Sequence, residues 1–89
     1  MKIELAELAK YLNDRKESDL SFTYHERRGE IQVSCNYDNF FTISKSLIFR
    51  ELPKNLTYKE AFVVGKIAAG VATYIDLVER NNKIKEKMI

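Results

Sequence analysis

The chain has 89 residues, of which 45% are hydrophobic and 31% charged, with a net charge of +2 at neutral pH. That length holds one domain with a modest core and no second one, since so small a chain buries only about 60–65% of its unfolded surface. A single Cys excludes an internal disulfide framework, one His and one Cys leave no zinc set, and the near-neutral balance excludes a strongly basic nucleic-acid protein.

Lys2 to Arg15 has the pattern of a first helix. Leu5, Leu8, Ala9 and Leu12 fall at i, i+3, i+4 and i+7, with Glu4, Glu7, Lys10 and Asp14 turned to water. Ser18 and Asp19 break it. From Leu20 the period changes to two: Leu20, Phe22 and Tyr24 alternate with Ser21, Thr23 and His25, and after a turn Ile31, Val33, Cys35 and Tyr37 alternate with Gln32, Ser34 and Asn36.

An even loop centred on Arg28-Gly29 places all of these apolar residues on one face, pairing Tyr24 with Val33, Phe22 with Cys35, Leu20 with Tyr37 and Arg27 with Glu30. Asp38-Asn39 reads as a second turn and Phe40 to Ser44 as a third strand whose inward face the Phe40-Phe41 pair leaves open. Leu47 to Leu52 is ambiguous: Leu47-Ile48-Phe49 suggests a fourth, edge strand, and Pro53 ends the segment.

The strongest helical signal lies at Thr57 to Arg80. Thr57 and Glu60 have the spacing of a capping box. Behind the cap, Ala61, Val64, Ala68, Val71, Ile75 and Val78 recur at steps of three and four, the pattern of a core stripe. Phe62, Val63, Ala69, Gly70 and Tyr74 lie off that stripe and require a cover, and Gly65, Ala69 and Ala72 would admit another backbone closely. Asn81-Asn82 reads as the C-cap, which makes residues 1–82 the domain and 83–89 a basic, frayed tail. Charges at Lys59, Glu60, Lys66 and Asp76 argue against a membrane span, and the expected setting is cytoplasmic.

The expected fold is therefore α+β: an N-terminal helix, an antiparallel meander of three or four strands, and a long C-terminal helix packed on the sheet. Helix, three strands, helix is also the order of the double-stranded RNA-binding domain. Such a domain carries a dense Lys cluster at the start of its second helix, where this chain has only Lys54 and Lys59, so the order alone does not assign the family.

No catalytic or cofactor signature appears. The hairpin register sets His25 and Cys35 on opposite faces, which removes a thiolate–imidazole couple, and both glycines near a helix fall inside it rather than before it. The expectation is a non-enzymatic protein that binds another protein and uses no cofactor or metal. Heavy use of Lys, Ile, Asn, Phe and Tyr suggests an A+T-rich coding sequence, such as that of a low-GC bacterium or one of its phages; a small phage or mobile-element inhibitor or regulator of a host system is a specific version of the expected binding protein. The expected contact residues are His25, Arg27, Arg28, Gln32, Lys54, Lys59 and Lys66; the alternative is a nucleic-acid module using the same basic hairpin tip and helix face. A 24-residue helix of about 36 Å outruns a domain roughly 31 Å across. A homodimer through Tyr74, Leu77 and Val78 is therefore expected.

Overall fold

The computed structural model describes residues 3–15, 19–36 and 38–87, with side chains through Lys83. The expectations placed on Lys2, Ser18, Tyr37 and the side chains of the final tail lie outside the described residues. Two helices and four strands follow in the order α1 (Leu5–Arg15), β1 (Leu20–His25), β2 (Glu30–Cys35), β3 (Asp38–Ile43), β4 (Phe49–Arg50) and α2 (Tyr58–Lys87). The strands form one antiparallel meander, β1-β2-β3-β4, giving the α+β layout that the two periodicities implied.

The first hairpin keeps the expected parity but shifts every pair by two residues. Leu20 pairs with Cys35, Phe22 with Val33, Tyr24 with Ile31 and His25 with Glu30. The reason is the turn. A two-residue loop at Arg28-Gly29 would need positive φ at both positions, which Arg28 resists. The chain instead uses four residues, Glu26 to Gly29, with only Gly29 left-handed at φ 63° and its N–H donating to the His25 carbonyl at 2.9 Å. Arg27 consequently does not face Glu30, whose cross-strand partner is His25; Arg28 reaches it from the turn, with Nη1 3.5 Å from Oε1.

The second turn also moves. Asp38 and Asn39 belong to β3, and the left-handed residue is Asn36, at φ 52°, whose N–H donates to the Asp19 carbonyl at 2.9 Å. A bulge answers the question posed by Phe40-Phe41: Val33 faces Phe41 and Ser34 faces Asn39, so Phe40 is the extra residue and both rings are buried. The predicted fourth strand shrinks to Phe49–Arg50, because Leu47 is left-handed at φ 61° and closes a turn to Ser44 through a 2.9 Å backbone bond.

The long C-terminal helix lies over the sheet as expected, but α1 makes the closer contact with the strands. Helix α1 lies directly on the sheet with Leu5, Leu8, Ala9 and Leu12 all buried. Helix α2 packs on α1, borders the sheet where Val63 and Ile67 come beside Leu20 and Phe22, and among the described residues adds Ile67 and Val71 to the buried core. Its half-buried residues, among them Val63, Val64, Tyr74, Ile75 and Val78, show a contact stripe turned toward Gly70 and Tyr74, away from the predicted Ala61 and Ala68, which are exposed. Gly70 permits this approach, since a Cβ there would sit 3.2 Å from Leu12 Cδ2. Asn81-Asn82 does not stop the helix, which continues to Lys87.

Candidate functional site

The predicted contact residues divide between opposite sides of the sheet. His25 and Gln32 lie on the outward face beside the exposed turn of Arg27 and Arg28, and Gln32 Nε2 donates to the Phe41 carbonyl at 3.3 Å. Lys54, Lys59 and Lys66 are exposed on the other side, in the approach to α2 and along its first three turns. Alternation of side chains along a strand explains the split: Phe22, Ile31 and Val33 point to the helices, which forces Thr23, Gln32 and His25 away from them.

At the hairpin tip a cleft of about 200 Å³ is lined by Arg28, Gly29, Glu30, Ser44, Lys45, Ser46 and Arg50. Lys45 and Arg50 were not among the predicted residues. They join Arg28 through pairings distant in sequence, Thr42 with Arg50 and the packing of Lys45 across Gly29, and no local pattern announces either.

On the helical side, the α2 entry is fixed by the capping box in both directions. Thr57 N–H donates to Glu60 Oε1 at 3.0 Å, and Glu60 N–H donates to Thr57 Oγ1 at 3.2 Å. The Thr57 N–H, with a smaller contribution from the Thr57 side chain, holds the Glu60 carboxyl below the usual glutamate range. Beside the cap a cavity of about 510 Å³ is lined by Cys35, Phe40, Phe62 and Val63 with Asp19, Asn36, Thr57, Lys59 and Glu60. Burial pushes the Cys35 thiol up, and the negative charges of Asp19, Glu60 and Asp38 push it further. A thiol held protonated is a poor nucleophile. His25 lies at the opposite end of the hairpin from Cys35 and on its other face, and among the described residues no three His, Cys, Asp or Glu side chains converge as a metal site.

Of the residues expected to self-associate, Tyr74 turns inward. Its ring lies 5.2 Å from that of Tyr11 on α1, whose other neighbour is Arg15, 4.1 Å above the ring centre. Burial raises the Tyr74 hydroxyl pKa, with smaller contributions from Glu7 and Glu4. Val78 is half-buried, and Leu77 is 40% exposed.

The solvent side of α2 is the largest anomaly of the surface. Tyr58, Ala61, Phe62, Gly65, Ala68, Ala69 and Ala72 are all exposed, Tyr58 at 98% and Phe62 at 64%. Tyr58–Lys83 is long and apolar enough to cross a membrane by length and composition; its most apolar 18-residue stretch has a mean hydropathy of 1.6, yet only 11% of that stretch is buried by the rest of the chain. A helix apolar round most of its circumference ordinarily has neighbours on most sides. No family model, no curated protein and no solved structure matches the chain.

Proposed function

We propose that the chain is a non-enzymatic interaction protein that acts by binding another protein, with the solvent side of α2 as its working surface. The observation that supports this most directly is the apolar helix left bare: exposed apolar surface of this extent is the usual mark of a site that another molecule covers. A small cytoplasmic inhibitor or regulator, of the kind a phage or mobile element carries, is a specific form of this reading. The test is capture from a lysate of the source cells at moderate salt, in parallel with Phe62→Glu, which places a charge on the exposed face without touching the core. Loss of a captured protein in the variant supports the reading; equal capture by both chains overturns the assignment of α2.

A second reading, nucleic-acid binding, is favoured by the meeting of Arg28, Lys45 and Arg50 around one polar cleft. Counterion release makes such binding fall steeply with salt. Recovery of RNA or DNA that Lys45→Glu and Arg50→Glu abolish, and that Phe62→Glu leaves unchanged, would replace the first reading by this one.

A further inference from the structure

We infer that the occupant of the bare α2 face is a second copy of this chain, packed antiparallel about a twofold axis that passes near Ala68 and Ala69. This rests on the reading of α2 as an interaction surface and names its partner.

The folded chain exposes 6817 Å², whereas a compact monomer of 10.4 kDa exposes about 5,400 Å². The excess, spread over the whole 89-residue chain, is about 1,400 Å², where a standard stable interface takes roughly 800 Å² from each partner. Shape agrees with area. The radius of gyration is 14.1 Å where about 12 Å is expected for this length, and the long dimension of 49 Å is close to the 45 Å or so that the 30-residue α2 spans by itself. A second α2 alongside supplies the missing burial without further sequence.

Gly65 is a separate indication. Glycine inside a helix costs about 1 kcal/mol relative to alanine, and the monomer offers no reason for that cost here. A Cβ at Gly65 would meet nothing within 4 Å, and no left-handed φ requires glycine. Gly70, by contrast, is explained by Leu12. Tyr58, Ala61, Gly65, Ala68 and Ala72 follow one another at steps of three and four and form one exposed strip about a third of a turn round from the Ile67–Val71 contact. Small side chains at its centre let two backbones approach closely.

The helix dipoles select the direction. Side by side, antiparallel α2 helices oppose their dipoles, whereas parallel ones align them unfavourably. Antiparallel pairing about an axis near Ala68 and Ala69 also sets Gly65 opposite Ala72.

Light scattering over a concentration series is the first test. A mass near twice 10.4 kDa at tens of micromolar is expected. Gly65→Leu, whose side chain has open space in the monomer, should weaken dimerisation at least tenfold while leaving the circular dichroism spectrum unchanged. In a Cys35→Ser background, Ala69→Cys should form an interchain disulfide on mild oxidation, and Ala61→Cys should not. A mass constant at that of one chain overturns the inference, as does a dimer indifferent to Gly65→Leu or one cross-linked through Cys at position 61. A monomer recovered with phosphatidylcholine–phosphatidylglycerol vesicles overturns it in favour of a lipid occupant. The broader reading of α2 is judged separately by Phe62→Glu in the capture experiment, so a monomer that still captures a protein through Phe62 sinks the pairing alone.

Discussion

Asn13 joins α1 to β1 through a single residue, Phe22: its Nδ2 donates to the Phe22 carbonyl at 2.7 Å, and its Oδ1 accepts from the Phe22 N–H at 3.1 Å. Strand β1 is an edge of the sheet. The side-chain amide of Asn13 therefore satisfies both backbone groups of Phe22, as the peptide of a further strand would, and blocks pairing by another chain at that point. Replacing it by Ala leaves a donor and an acceptor without partners in a part-buried place, at a cost of about 1–3 kcal/mol. Urea denaturation of Asn13→Ala should show a lower midpoint with an unchanged slope. Asn13→Asp, which can accept but not donate, should fall between; a shift under about 0.5 kcal/mol for the Ala variant would contradict this role.

Gly65 and Gly70 provide a matched pair on one helix. At sub-micromolar concentration, where the chain is alone, Gly65→Ala should stabilise by about 0.5–1 kcal/mol, a rise in Tm of several degrees for a domain of this size. Gly70→Ala gains the same propensity but presses its Cβ to 3.2 Å from Leu12 Cδ2. Its Tm should fall below that of Gly65→Ala. Equal gains would mean that α2 does not rest on Leu12 at this point.

The Cys35 thiol, held up by burial and then by Asp19, Glu60 and Asp38, should react slowly with a disulfide reagent at pH 7.5. Unfolding in urea should accelerate it, and Asp19→Asn should accelerate it modestly in the folded chain. Reaction in the folded chain at the rate of the unfolded one would show that neither partial burial nor the neighbouring carboxylates restrain Cys35.

The capping box makes part of the stability depend on acid. Because the Glu60 carboxyl titrates below its unfolded value, its contribution is fully present above the ordinary glutamate range and is lost as pH falls through the folded value. Lowering the pH from 7 to 3 should fray the start of α2, read as faster amide exchange over residues 58–62. Glu60→Gln, which retains a side-chain acceptor, should flatten that portion of the profile. Thr57→Ala should cost about 1 kcal/mol at pH 7.

Local chemistry was the legible part of this chain. Thr57 and Glu60 are three residues apart and need nothing else to form their bonds, and the parity of Leu20, Phe22, Ile31 and Val33 follows from having one face to bury. The hairpin register was less legible because it depends on which turn Arg28 tolerates. The extent of β4 depends on Leu47, an αL residue that no propensity favours. Periodicity marked an apolar stripe on each helix and favoured that of α2 for the sheet, whereas α1 makes the closer contact with the strands. The candidate surface divides in the same way. Phe62 and the small residues of α2 were visible as apolar positions lacking an obvious cover, whereas Lys45 and Arg50 reach Arg28 only through the folded meander.

The two helices differ in when they can contribute to folding as well as in where they lie. Of the thirteen fully buried apolar residues described, eleven precede Ser44 and only Ile67 and Val71 follow it. Every strand pairs with its neighbour in sequence, the low-contact-order arrangement that forms fastest. Most of the core can thus assemble while α2 is still inside the ribosome exit tunnel. The apolar helix then emerges onto an already folded surface, so the time it stands bare is not set by the folding of its own domain.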